Sequence, residues 1–287
     1  VGRTATVAAP IAVTPIAAAA LGDGATDILS ADSTEGIGVS DRTPKTHTLS
    51  TGHEVAVPLE TEAEATAVAV AADAGAAGEW LPEGLTPVRL SPGRTAVTFL
   101  SVDYRRIGDD AMAPYEEFGV LLAATPADGP VPELGAVRDG LGGYVAALPV
   151  TTEPARALGV EIWGYPKSVA DIGITDRGDR RRTAVGDERG HVLTLDAPWN
   201  PRFRTTVETA SYTGGDGTES GPERPETAVR RQPLELSGRF GARPFGGRYS
   251  LGTHPLAERL RGLGLGRSLG AVAFDGRFVI AEGRPPV

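Results

Sequence analysis

The sequence predicts an α+β domain built around a large, mainly antiparallel β-sheet, and three observations carry that prediction. About ten short strand-like segments alternate with polar, Gly/Asp-rich connections, against two or three helical ones. Strand and helix patterns do not alternate as a regular βαβ series, which argues against a parallel sheet. The 287 residues include 38 glycines and 23 prolines, a turn-rich composition suited to many short strands.

Taken in order, residues 1–45 are rich in Ala, Thr, Ser and Gly and hold no sustained period, as expected of a poorly ordered extension. The apolar run beginning at Val7 is short, interrupted by proline and preceded by one Arg, which weighs against a secretory signal. No stretch approaches the ~18–20 uninterrupted apolar residues of a membrane helix, so the chain reads as soluble and cytoplasmic. Residues 46–287 are patterned throughout and read as one domain. Residues 60–79 (ETEAEATAVAVAADAGAAGE) combine Ala and Glu with acids in the first turn and predict a helix. Residues 94–104, 115–124 and 143–150 predict strands. Thr151-Thr152-Glu153-Pro154 starts a short helical turn that Gly159 stops, with a Thr cap, an early proline and a terminal glycine. Strand-like segments follow over 160–163, 168–175, 181–186, 190–196, 203–213, 229–240 and 245–251. A helix over 254–263 and a final strand over 270–281 complete the pattern.

Composition excludes several functions. The chain has no cysteine, which removes disulfides, thiolate catalysis, Fe–S clusters and cysteine-ligated zinc. A formal net charge of −9 argues against nucleic acid or anionic membranes as partners. The histidines His47, His53, His191 and His254 share no metal-ligand spacing, and His254 before Pro255 suits a helix cap better than ligation. Arg180-Arg181-Arg182, flanked by acidic residues, reads as a solvated hairpin.

Two motif matches fail on context. Gly266-Arg267-Ser268-Leu269-Gly270 has the G-x-S-x-G form of a nucleophile elbow, but a helix precedes it, a strand follows, and no histidine lies downstream. The run over 262–266 has Arg267 where a dinucleotide fingerprint needs its last glycine, and it lies outside any βαβ unit.

The sharpest local feature is Lys167. Among 28 basic residues only Lys45 and Lys167 are lysines. Lys167 follows a Gly-x-Pro turn among aromatic and aliphatic residues. Apolar surroundings penalise an ammonium and favour the neutral amine, which can attack a ketone; arginine never deprotonates usefully. The competing reading is a lysine that extends its amine to water from a strand end.

Trp163-Gly164-Tyr165-Pro166-Lys167 after Gly-Val-Glu resembles the signature of the acetoacetate decarboxylase family, whose lysine after an aromatic-Pro pair forms a Schiff base. Leu81-Pro82-Glu83-Gly84-Leu85, Tyr115-Glu116-Glu117 and His254-Pro255-Leu256-Ala257 are similar to further family segments in the same order, so the resemblance spans about 48–287. It implies a single domain closed into a cone-like β-barrel with the lysine inside, no metal or organic cofactor, a small keto-acid substrate and a homo-oligomer.

Carried over position by position, the resemblance makes Lys167 the nucleophile and Glu117 the acid beside it. Trp163, Tyr165, Tyr115 and Glu116 are the expected substrate contacts, although strand alternation turns Glu116 to the face opposite Glu117. Three positions depart from the family pattern. Ser168 replaces the second lysine that usually follows the first. Val102, with Asp103 beside it, stands where another active-site acid is expected, and His53 stands in place of an N-terminal arginine. The expected activity is decarboxylation of a small β-keto acid. The alternatives are Schiff-base aldol or dehydration chemistry on a larger keto acid, or a non-catalytic barrel that binds small metabolites.

Overall fold

The computed structural model describes residues 7–8, 43–127, 142–214 and 229–285. Apart from β1 (Val7–Ala8) and residues 43–45, the expected N-terminal extension lies outside the described residues. β2 (Lys45–Thr48) and β3 (Glu54–Val57) form a hairpin whose turn uses Gly52 at φ +82. β4 (Leu59–Asp73) then runs through the segment for which Ala/Glu content predicts a helix. Only its end is helical: Asp73 caps the short α1 (Ala74–Gly78) by accepting from Ala76 N at 2.9 Å. The physical signal in this segment is alternation. Leu59, Thr61 and Ala63 are buried while Glu60 and Glu62 are exposed, and that period of two outweighs helix propensity.

β5 (Leu85–Pro87) is a short strand the sequence did not signal; β6 (Arg94–Ile107), β7 (Tyr115–Pro126) and β8 (Gly142–Val150) follow as expected from their apolar patterns. Thr152 caps α2 (Glu153–Leu158), accepting from Ala155 N at 3.3 Å. This helix does not stop at Gly159. It widens into a π-helical turn, Gly159–Trp163, in place of the strand expected over 160–163, and ends at Gly164, whose φ of 70 and ψ of 28 are left-handed. β9 (Lys167–Val169) comes next. The remaining strands are β10 (Asp171–Arg177), β11 (Arg180–Asp187), β12 (Gly190–Pro198), β13 (Phe203–Thr213), β14 (Arg230–Pro244), β15 (Arg248–Leu251) and β16 (Ser268–Ile280). Before β16, α3 (Pro255–Gly262) is capped by His254, whose Nδ1 accepts from Leu256 N at 3.0 Å.

The large sheet closes on itself. Its neighbours run β13-β14-β16-β4-β6-β7-β8, and β8 pairs in parallel with β13 from Ala210↔Gly142 to Tyr212↔Tyr144. Every other junction of this ring is antiparallel. A second sheet, β10-β11-β12-β15, packs on the outside of the ring with α3. The two sheets give two cores. Val102, Tyr104, Tyr115, Leu148 and Trp163 belong to the interior core, while Phe99, Phe118 and Val120 pack outward against Leu193, Leu195 and Leu260. Both faces of β6 and β7 are therefore covered, which is why their sequences read as nearly continuous apolar runs.

The arginine run lies on the β10–β11 hairpin, but it is not uniformly solvated. The Arg181 side chain is 2% exposed, between Asp176 and Glu64, with its guanidinium 3.8 Å from the Trp199 ring centroid. Period-two alternation turns Arg181 toward the ring while Arg182 faces water. No described helix is long and apolar enough to cross a membrane.

Candidate active site

The geometry of Lys167 begins with the turn before it. Gly164 ends the π-helical turn and reverses the chain, and Lys167 N then donates to Tyr165 O at 2.8 Å. Lys167 starts β9 opposite Leu148 of β8, so its backbone belongs to the ring's edge while its side chain reaches inward. The side chain crosses Gly159. A Cβ on Gly159 would overlap Cδ and Cε of Lys167 and stand 3.0 Å from Nζ. Gly159 has ordinary helical angles, φ −73 and ψ −41, so its missing side chain matters for space and not for backbone freedom.

Glu117 reaches the same point from β7, on the other side of β8, where it pairs with Val150. β6 and β7 pair with Val102 opposite Glu117 and Tyr104 opposite Tyr115. Alternation along β7 sends Tyr115 and Glu117 inward and Glu116 and Phe118 outward. Lys167 Nζ lies 2.7 Å from Glu117 Oε2, and the two side chains are 4% and 7% exposed. Tyr104 OH donates to the other carboxylate oxygen at 3.4 Å. The Tyr115 ring centroid is 5.4 Å from Nζ and 4.7 Å from the Tyr104 ring. Burial pushes both tyrosine hydroxyls well above their ordinary pKa, and the neighbouring Glu117 carboxylate adds to the shift. Both remain protonated, and Tyr104 serves as a donor to Glu117.

These groups line one cavity of about 70 Å³ inside the ring. The lining is mostly apolar, and Lys167 and Glu117 are its one cation and one carboxylate among the described residues. Trp163 and Tyr165 line it as well, their rings 5.9 Å apart. Trp163 is fixed through Nε1, which donates to Ala281 O at 3.0 Å, and through its carbonyl, which accepts from Thr213 Oγ1 at 3.1 Å. Tyr165 OH and Ser211 Oγ are 2.7 Å apart. Burial raises the Tyr165 hydroxyl pKa, with the Ser211 hydrogen bond working in the other direction.

The other positions singled out by sequence lie elsewhere. Glu116 does not line the cavity; alternation turns it away, and Thr151 Oγ1 donates to its carboxylate at 3.0 Å. Ser168 is exposed, Asp103 pairs with Arg105, and His53 Nδ1 is 2.9 Å from Thr51 Oγ1. Val102 is buried beside the cavity wall and supplies no acid. Sequence reasoning missed Tyr104 and the β13 hydroxyls Thr209 and Ser211. For the β13 pair the signal is an alternation of hydroxyls, Thr209-x-Ser211-x-Thr213, on one face of the strand. Among the described residues, no group of three or more His, Asp or Glu side chains is placed to hold a metal.

Comparison with known proteins gives a consistent family. A family model described as acetoacetate decarboxylase (ADC) matches residues 42–285. No curated protein sequence matches the chain. Among solved structures, an acetoacetate decarboxylase from Legionella pneumophila subsp. pneumophila str. Philadelphia 1 is similar with a TM-score of 0.56 at 16% identity, over 90% of this chain and 98% of that one. The enduracididine biosynthesis enzyme MppR complexed with pyruvate gives 0.55 at 14%, over 86% and 92%. An acetoacetate decarboxylase-like enzyme from Sphingomonas wittichii RW1 gives 0.52 at 16%, over 80% and 93%. At these identities the structural likeness concerns the fold.

Proposed function

The chain belongs to the acetoacetate decarboxylase (ADC) family, and from that premise we propose that it is a Schiff-base enzyme that decarboxylates a small β-keto acid. The observation that carries the reading is the Lys167–Glu117 contact of 2.7 Å inside a largely apolar cavity. A primary amine and a carboxylate at that distance exchange a proton directly, giving a neutral nucleophile beside a carboxylic acid.

In the proposed reaction Lys167 Nζ attacks the ketone carbon, and the carbonyl oxygen leaves as water. Glu117 takes the ammonium proton before attack and a second proton from the nitrogen after it, and passes each in turn to the departing oxygen. The protonated imine then accepts the electron pair of the C–C bond to the carboxylate, so CO2 leaves and an enamine remains. Protonation of the enamine carbon regenerates the imine, and water releases the ketone and free Lys167. Tyr104 holds Glu117 in place through its hydroxyl, while Trp163, Tyr165 and Tyr115 wall the site. The proposed chemistry uses no metal or organic cofactor.

Borohydride reduction with a panel of keto acids, followed by mass spectrometry of the peptide carrying Lys167, tests this reading. A trapped adduct at Lys167 together with released CO2 is expected. An adduct without CO2 would move the protein to aldol or dehydration chemistry on the same imine. Absence of any adduct would leave a binding barrel.

A further inference from the structure

The wall of the cavity formed by β13 carries polar groups that the proposed imine chemistry does not use. Thr209 and Ser211 both line the cavity, two residues apart on one strand. Ser211 is committed to a chain of hydrogen bonds. Its Oγ donates to Gln232 Oε1 at 3.4 Å, which leaves Tyr165 OH as the donor in the 2.7 Å contact with Ser211. Gln232 Nε2 in turn donates to Thr213 Oγ1 at 2.8 Å, and Thr213 donates to Trp163 O. The protons of this chain are spent on one another.

Thr209 stands outside it. The residue is 8% exposed, and its Oγ1 is buried without a hydrogen-bond partner among the described residues. A buried hydroxyl left unpaired is costly, so an unpaired donor on a residue that lines a cavity marks a place where a ligand oxygen belongs. The charge inventory says which oxygen. Lys167 is the one cation of the described lining and is occupied by the ketone carbon, so no second cation is there to hold a carboxylate. A neutral donor suits a carboxylate that is about to leave. A strong cation would stabilise the charged ground state and lose that interaction as CO2 departs, raising the barrier.

We infer that Thr209 is a substrate-binding residue whose hydroxyl donates to the carboxylate of the keto acid held at Lys167. This rests on the imine chemistry proposed above and adds the position of the leaving group. It makes the site selective for keto acids whose carboxylate is lost, over those that must keep one bound through the reaction.

The test compares wild type, Thr209→Val and Thr209→Ser in borohydride trapping at Lys167, with acetoacetate and with acetone, which has the ketone but no carboxylate. Valine keeps the shape and removes the donor. Thr209→Val is expected to raise the half-saturating acetoacetate concentration about tenfold, the scale of one hydrogen bond to a charged group. Acetone trapping should stay unchanged, which also reports that the variant is folded, and Thr209→Ser should restore the wild-type acetoacetate value. An equal effect on both ligands, or on neither, would overturn the assignment of Thr209 while leaving the Lys167 imine intact. Wild-type trapping of acetone but not of acetoacetate would also overturn it. Wild type that traps neither ligand would remove the imine chemistry, and this assignment with it.

Discussion

Gly159 and Lys167 occupy a single space: the lysine side chain lies where a Cβ on Gly159 would be. The two are brought together by the π-helical turn Gly159–Trp163 and the left-handed Gly164, which fold the chain back so that its later end crosses its earlier one. Alanine suits the backbone at 159, whose angles are helical, so Gly159→Ala should still fold, with a lowered melting temperature because the methyl parts a buried lysine from its carboxylate. The methyl would push the Lys167 amine out of line with Glu117. The rate of borohydride inactivation in the presence of a ketone is expected to fall about 100-fold, the usual penalty for a misplacement near 1 Å. An unchanged rate would mean that the amine acts from another position.

Glu117 and Tyr104 form a graded pair of tests. Glu117→Gln keeps the size of the side chain and removes its ability to take a proton from Lys167. Imine formation should slow by about 10²–10⁴-fold, the range for a positioned general base. Tyr104→Phe removes only the longer bond of 3.4 Å to the far carboxylate oxygen, and its effect should be smaller, about tenfold or less. Stopped-flow or trapping rates that reverse this order would separate Glu117 from the proton transfer.

The site was legible where its signal was chemical and local. Lys167 stands out because almost every other basic residue is arginine, and the family resemblance carried by Trp163-Gly164-Tyr165-Pro166-Lys167 and Tyr115-Glu116-Glu117 named Glu117 as the acid beside it. What stayed hidden depends on packing. Gly159 carries a glycine's usual helix-stop signature, and only the folded chain reveals that a lysine side chain passes over it. β4 was masked by its composition, because Ala and Glu favour helices and the alternation of Glu60, Glu62 and Glu64 is decisive only once a ring needs an outer face. Thr209 is one threonine among many in the sequence; its unpaired hydroxyl is a property of what surrounds it.

Arg181 joins the outer sheet to the ring through Glu64 at 2.6 Å, is held within its own sheet by Asp176 at 2.6 Å, and stacks on Trp199. Removing one partner of a buried ionic group leaves the others uncompensated and costs about 3–5 kcal/mol. Arg181→Ala is expected to lower the urea midpoint markedly. Arg181→Lys should recover only part of the loss, because an ammonium cannot match the two-pronged contact with Asp176 or stack on the indole. Full rescue by lysine would show that charge alone, and not the planar fork, holds the sheets together.

Asp187 makes the acid side of the stability profile depend on the segment before α3. Its carboxylate accepts from Arg189 Nη2 at 2.6 Å and from Arg189 N at 2.8 Å, and His254 Nε2 lies 3.1 Å away. Because His254 Nδ1 accepts from Leu256 N, the ring proton sits on Nε2 and points at Asp187. The Arg189 hydrogen bonds are the main cause of a pKa lowered from 3.8 to about 2, with His254 contributing. A carboxylate depressed in the folded state adds stability that is complete above its unfolded value and vanishes as the pH falls through the folded one. Asp187→Asn should therefore destabilise the protein at about pH 6, with the gap from wild type narrowing between about pH 4 and pH 2. Other carboxylates, such as Glu60 beside Arg277 and Asp176 beside Arg181, are lowered too, so the difference between the two proteins is the quantity to follow. Urea unfolding across that window measures it. A gap that stays constant down to about pH 2 would show that the Asp187 contacts do not discriminate between its charged and neutral forms.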